Sequence, residues 1–159
     1  MIDLQLDRRV VLITGANHGI GAATARLFAE QGARVFVSYY RVLCSYTKEE
    51  QKQAREAGIP GERLYRAMQQ QPIEPLLIDM REKHVTCAGL ELDLSNPENI
   101  PILFDRCEAE LGPVDILVNN HTHCVLETFD PGMVTDKGFS VQLTSAAGID
   151  AHFAVNTRS

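Results

Sequence analysis

The sequence predicts an α/β fold: a doubly wound parallel sheet with strand order 3-2-1-4, truncated before any further strands. Three observations carry this. Strand-like and helix-like segments alternate along the chain, the pattern of a parallel sheet with helices on both faces. The first strand-like segment, residues 9–14 (RVVLIT), is a β-branched apolar run of the kind found in strands buried on both sides. A glycine-containing turn, Gly15 to Gly21, leads from it directly into a helical segment. Right-handed crossovers then place the first strand in the middle of the sheet.

The elements follow in order. After the turn, AATARLFAEQG carries Ile20, Ala23, Thr24, Leu27 and Phe28 at helical spacing, and Gly32 stands where such a helix stops. Residues 33–40 (ARVFVSYY) form the second strand, so residues 9–40 make one β-turn-α-β unit. Residues 47–58 and 62–71 have helical composition and are polar on most faces, with Pro60-Gly61, Pro72 and Pro75 as punctuation. Residues 75–84 form a further helix, and the whole stretch 42–84 is expected to be a solvated helical excursion at one edge of the sheet. The third strand covers 85–94 and ends near Asp93; Ser95 with Glu98 then forms a capping box for a helix running to about Leu111. Gly112-Pro113 ends that helix, and 114–120 (VDILVNN) is the fourth strand. Residues 121–150 have no sustained period and are expected to be a long loop, and a last helix starts near Asp150.

Composition bounds the function. The chain has 159 residues, 45% of them hydrophobic, which suits a single domain spanning 1–159. Disorder is excluded, because it requires low hydrophobicity. No apolar stretch approaches the roughly 20 residues that span a bilayer, and the start MIDLQLDRR is not a secretory signal. With 15 Lys and Arg against 21 Asp and Glu, the net charge of −6 argues against a nucleic-acid partner. A cytoplasmic domain with no membrane and no nucleic-acid partner is expected. Cys44, Cys87, Cys107 and Cys124 form no CxxC pair, so reduced thiols are expected. His121-Thr122-His123-Cys124 lacks the further ligands that zinc requires, so no metal site is read.

Ligands in such sheets sit at the carboxyl ends of the strands, beside the switch point between strands 1 and 4. The candidates are therefore Gly15 to Gly21, Tyr39 to Arg41, Asp93 and Asn119 to His121. A strand turning sharply into a helix exposes the unpaired N–H groups of the first helical turn at the positive end of the helix dipole. A pyrophosphate reaches them only where side chains are absent, hence glycine at 15, 19 and 21. An NAD site carries Asp or Glu about 20 residues past the glycines to accept from the ribose 2′-hydroxyl. Here that place reads Ser38-Tyr39-Tyr40-Arg41. A carboxylate there would repel a 2′-phosphate, whereas an arginine pairs with it, so NADP is favoured over NAD. His18 either approaches that phosphate or faces solvent.

Thr14-Gly15-Ala16-Asn17-His18-Gly19-Ile20-Gly21 is very similar to the cofactor loop of the short-chain dehydrogenase/reductases, whose fold is of the Rossmann type. Asp93-Leu94 and Asn119-Asn120 occur in that family's order, and Val155-Asn156-Thr157 resembles its helix segment bearing the active-site asparagine. The resemblance implies that Asn17, His18 and Ile20 line the cofactor with the three glycines, and that Tyr39 and Arg41 stand by the ribose. It implies that Asp93 contacts the adenine with Leu94 beside it, that Asn120 lines the cofactor, and that the catalytic Asn156 supports a proton relay through bound water; His121, at the end of the fourth strand, is a cofactor-site candidate by position. It further implies hydride transfer between NADP(H) and a carbonyl or alcohol substrate, in a parent protein that is a homo-dimer or homo-tetramer.

Two departures qualify this. The family reads Asn-Asn-Ala-Gly after the fourth strand, and this chain reads Asn119-Asn120-His121-Thr122; the His121 side chain is expected to turn away. The family's chemistry also uses Tyr-x-x-x-Lys, because a tyrosine with a pKa of about 10 needs a neighbouring cation to work as an acid near neutrality. Four residues beyond Tyr39, Tyr40, Tyr46 and Tyr65 stand Leu43, Cys44, Glu50 and Gln69. Ser140 and Ser145 precede Asn156, whereas the family's serine follows that asparagine. The chain is thus expected to be the amino-terminal part of a longer reductase, itself inactive. A dinucleotide-binding module without turnover is the alternative, and a methyltransferase of related fold is disfavoured by the missing carboxylate after strand 2.

Overall fold

A computed structural model describes residues 4–130, 135 and 141–159. In chain order its elements are β1 (Val10–Ile13), α1 (Gly19–Glu30), β2 (Arg34–Tyr39), α2 (Lys48–Ala57), α3 (Glu62–Gln69) and α4 (Glu74–Glu82). Then follow β3 (Cys87–Glu91), α5 (Asn99–Leu111), β4 (Ile116–Val118), β5 (Glu127–Thr128), β6 (Gln142–Leu143) and α6 (Ala146–Asn156). The chain divides into two compact units, one of residues 1–40 and 72–121, the other of 41–71 and 122–159.

The first unit is a four-stranded parallel sheet ordered β3-β2-β1-β4, the order expected from the sequence. Its register explains the continuous apolar runs. Cys87, Val35, Val11 and Ile116 stand side by side across the sheet, and so do Ala88, Phe36, Leu12 and Leu117 one residue further on. Successive residues point to opposite faces, so each row feeds a different layer. Val11, Ile13, Val35 and Val37 pack with Ala22, Ala25 and Ala29 of α1 and with Leu76, Leu77 and Met80 of α4. Val10, Leu12 and Phe36 pack on the other side with Leu103, Cys107 and Leu111 of α5. Val10 to Ile13 and Phe36 are wholly buried, each large side chain contributing about 1.5–3 kcal/mol. Burial, aided by Glu108 and Glu110, pushes the Cys107 thiol up to about 11.

Three local expectations change. On α1 the buried face is made mainly by Ala22, Ala25 and Ala29, with Phe28 partly buried beside them, whereas Ile20 is 80% and Leu27 61% exposed. The small side chains of α1 thus face the sheet, and the face predicted from spacing is rotated from the buried one. The α5 helix starts at Asn99 and has no side-chain cap. Instead the Ser95 N–H donates to Asp93 Oδ1 at 2.9 Å and the Glu98 N–H to Asn96 Oδ1 at 3.2 Å. These turns compete with a capping box, and Pro101 falls in the first helical turn, where a missing N–H costs nothing. Finally, α4 is not a solvated element, since Leu76, Leu77 and Met80 belong to the core.

The second unit is more polar. In α2 no residue is buried; Thr47 Oγ1 accepts from the Glu50 N–H and Glu50 returns a bond to the Thr47 N–H, a capping box. Arg55 donates to the Ala67 carbonyl at 3.1 Å, tying α2 to α3. Within the stretch expected to be a loop, β5 and β6 pair in parallel over two residues each. The last helix starts four residues earlier than expected, at Ala146, because Ser145 Oγ accepts from the Gly148 N–H at 3.0 Å. Pro131-Gly132, Lys137-Gly138 and Ser140 lie outside the described residues. Among the described residues no helix is long and apolar enough to cross a membrane.

Candidate functional site

The turn from β1 into α1 is built by glycines whose Cβ atoms would have no room. Gly15 has φ +63°, and a Cβ there would lie 2.7 Å from His121 Cα. A Cβ on Gly21 would lie 2.5 Å from both Asn120 Nδ2 and the Gly15 carbonyl oxygen. Gly19 has open space around it but a φ of +56°, which disfavours any side chain. Between them His18 occupies the cap position of α1 in extended conformation, and no side chain caps the helix. The first-turn N–H groups have no intrahelical acceptors, and the first turn holds no acidic residue. The result is a concave, positively polarised backbone surface suited to an anion.

The end of β4 closes the turn from beside it. Asn120 Nδ2 donates to the Thr14 carbonyl at 3.1 Å and to the Gly15 carbonyl at 2.8 Å. Thr14, only 2% exposed, is the hub that the sequence reading did not single out. Its hydroxyl accepts from the Asn120 N–H at 3.0 Å and the His121 N–H at 3.3 Å, and lies 3.3 Å from the Val118 carbonyl. His121 Nδ1 is 2.6 Å from the same oxygen. The His121 ring therefore does not turn away, as expected from the sequence, but folds onto Thr14. A polar residue ending a buried strand is the signal that could have found Thr14.

The other candidates fall as follows. Asn17 is buried, and its Oδ1 lies 3.0 Å from His18 Nδ1; burial holds the His18 pKa below its ordinary 6.5. Tyr39 ends β2 as a buried member of the core. Its neighbour Ser38 is 1% exposed, and its hydroxyl makes no hydrogen bond among the described residues, while its carbonyl accepts from the Ala16 N–H at 3.0 Å. A buried hydroxyl left over beside the turn is a second feature missed in the sequence. Asp93 binds the start of its own turn, and Leu94 is packed into the α5 layer. Arg41 follows Tyr40 into the second unit, and Asn156 stands on α6 in that unit. Of the candidate residues, the structure thus brings Gly15 to Gly21, Asn120 and His121 together.

The model of the short-chain dehydrogenase family matches residues 9–61, the segment that holds β1, the glycine turn, α1 and β2. An uncharacterised oxidoreductase of Bacillus subtilis is 28% identical over 156 residues, covering 96% of this chain and 47% of that protein. The chloroplastic NADPH-dependent aldehyde reductase 2 of Arabidopsis thaliana is 31% identical over 163 residues, covering 98% and 47%. The chain belongs to the short-chain dehydrogenase/reductase family. Its fold agrees: the solved L-sorbose reductase of Gluconobacter frateurii, complexed with NADPH and L-sorbose, superposes with a TM-score of 0.64 at 21% identity over 98% of this chain and 44% of that one. This short-chain dehydrogenase/reductase chain spans about half the length of the curated relatives it matches.

Proposed function

We propose that this chain is the dinucleotide-binding part of an NADP-dependent oxidoreductase that moves a hydride between NADP(H) and a carbonyl or alcohol substrate. The observation that carries the reading is the glycine turn, where Cβ atoms on Gly15 and Gly21 would meet backbone and Asn120 at 2.5–2.7 Å. Such a cradle beside an uncapped helix start fits a pyrophosphate, and the leftover Ser38 hydroxyl beside it is a polar group awaiting a partner.

Bound NADP(H) supplies or accepts the hydride. The first-turn N–H groups of α1 hold the pyrophosphate, while Asn17, His18 and Ile20 border it. Asn120 keeps the two carbonyls of Thr14 and Gly15 engaged, so that N–H groups rather than lone pairs face the anion. His121, through Thr14, holds the end of β4 against the turn. Arg41, two residues beyond β2, pairs with the 2′-phosphate, and Tyr39 supports the ribose from the core. Asp93 would contact the adenine with Leu94 beside it, and Asn156 would support a proton relay through bound water. The NADPH dependence of the Arabidopsis relative and the NADPH in the sorbose reductase complex support the choice of NADP. The whole protein is proposed to be a homo-dimer or homo-tetramer.

No tyrosine of the chain precedes a lysine by four residues, so the chain alone is proposed to bind without turnover. The same absence favours a second reading, a module that holds the dinucleotide for another purpose. Calorimetric titration of the folded chain with NADPH and NADH tests the proposal. The expected result is tighter binding of NADPH and reversal of that preference in Arg41→Asp. A folded chain that binds neither dinucleotide overturns the proposal, and an unchanged preference in Arg41→Asp removes the role of the arginine. Binding by the endogenous full-length protein without oxidation of NADPH by any ketone would favour the second reading.

A further inference from the structure

The second unit holds Asn156 in a set of side-chain bonds that its proposed relay role does not account for. The Asn156 side chain, near the end of α6, is bonded on both of its polar atoms to the chain that leads away from β4. Its Oδ1 accepts from the His123 N–H at 2.8 Å and from the Thr122 hydroxyl at 3.3 Å. Its Nδ2 donates to the His123 carbonyl at 3.0 Å and lies 3.3 Å from His152 Nδ1, one turn earlier on α6. The His123 and His152 rings meet edge to face with centroids 4.9 Å apart.

These bonds determine a protonation state. The His123 N–H is a donor only, so the oxygen of the Asn156 amide must face it and the nitrogen must face His152. Both amide protons are then committed, one to the His123 carbonyl and one to His152 Nδ1. His152 Nδ1 must consequently be the acceptor nitrogen, with the ring proton on Nε2. A second proton, on Nδ1, would set donor against donor. Turning the amide over would relieve that contact but would place its NH2 against the His123 N–H and its oxygen against the His123 carbonyl. No orientation of Asn156 satisfies both partners once His152 is charged.

We infer that His152 is a positioning residue for Asn156: its unprotonated Nδ1 fixes the second Nδ2 proton, and protonation of His152 removes that contact and leaves Asn156 held by its three bonds to Thr122 and His123 alone. The inference rests on the reading of Asn156 as a relay residue only for its catalytic meaning; the clasp stands without it. The charged groups that bear on His123 are Arg66 of α3, which opposes a proton there, and Glu127 of β5, which favours one. Burial and the neighbouring His152 ring hold the His123 pKa below its ordinary 6.5. His123 thus favours its neutral form, and the contact between Asn156 Nδ2 and His152 requires Nδ1 of His152 without a proton.

The test is an NMR titration of the isotope-labelled full chain across the imidazole range, following the Asn156 side-chain amide and the His152 ring. The expected result is a sigmoidal shift of the Asn156 Nδ2 resonances whose midpoint coincides with the His152 titration. In His152→Gln, where the Gln carbonyl can accept the same bond without titrating, that sigmoid disappears while the clasp persists. Asn156 resonances that stay still while the His152 ring titrates overturn the inference, and so does an unaltered sigmoid in His152→Gln. The unsubstituted chain decides the first point if the variant fails to fold. NADPH affinity plays no part in these readouts, so failure of the cofactor proposal is seen separately.

Discussion

Asn120 Nδ2 donates to the Gly15 carbonyl at 2.8 Å from a position that a Cβ on Gly21 would crowd to 2.5 Å. Glycine at 21 is therefore room for the Asn120 amide, and the turn after β1 is locked to the end of β4 by one side chain. Asn120→Ala removes two hydrogen bonds and leaves two carbonyls at the turn without those partners. At about 0.5–1.5 kcal/mol net per bond, a loss of about 1–3 kcal/mol is expected, measured as a lower midpoint in urea with an unchanged slope.

The three glycines of the turn should not respond alike. In Gly21→Ala the new methyl meets the Gly15 carbonyl and, at 2.9 Å, Ala16 Cα, neither of which can swing away. In Gly19→Ala it meets nothing within 4 Å, and only the left-handed φ of +56° is penalised. Denaturant midpoints should place Gly19→Ala about 1–2 kcal/mol below the parent and Gly21→Ala lower still. Equal losses would mean that the cradle is looser than its geometry.

Thr14 gives a third prediction. Thr14→Val keeps the shape and removes the hydroxyl that receives the Asn120 and His121 N–H groups. Leaving part-buried donors unpaired costs about 1–3 kcal/mol. Thr14→Ser should recover most of it, whereas a deficit caused by lost methyl packing would persist in Ser.

Stability should also fall in acid in two separate windows. Asp115 accepts from the Val10 N–H and from Arg9, each at 2.8 Å, which together hold its carboxyl below the ordinary 3.8. The unfolded chain binds that proton more readily, so the stabilisation is full above the ordinary carboxylate range and is lost as pH falls through the folded value. Asp115→Asn should flatten this limb of the stability curve. His18 and His123 are held below 6.5, chiefly by burial. Their neutral forms favour the folded state above 6.5, and stability declines as pH falls from there toward their folded values. Urea midpoints across the two windows check the sign; a rise on acidification below 6.5 would contradict it.

A last prediction concerns the core. Phe36 is fully buried in the α5 layer, and Phe36→Ala should cost about 3–5 kcal/mol. Phe153→Ala, at a side chain 61% exposed, should change the thermal midpoint little.

Much of this architecture can be read from residues close together in the chain. RVVLIT followed by a glycine turn and an alanine-rich helix specifies β1, the bend and α1, because hydrophobic period and turn chemistry are local properties. Three further apolar runs at the right spacing, with right-handed crossovers, suffice for the order β3-β2-β1-β4. The mistaken details have a common origin. Ile20 and Leu27 have the spacing of a buried face, but the face that packs on the sheet is the one bearing Ala22, Ala25 and Ala29. Ser95 and Glu98 have the spacing of a capping box, but Asp93 and Asn96 claim the local N–H groups first.

Local pattern thus decided the four strands of the main sheet, their order and the glycine turn that the cofactor proposal rests on. Tertiary structure decided which atoms close that turn. Thr14 and Asn120 stand 106 residues apart and meet only because β4 pairs beside β1, with Val118 opposite Ile13. That register carries Asn120 and His121 onto the Thr14 hydroxyl, turns the His121 ring inward and makes side chains at 15 and 21 impossible. Helical period and turn composition are set by neighbours along the chain, whereas a hydrogen bond across the sheet depends on strand register to within one residue.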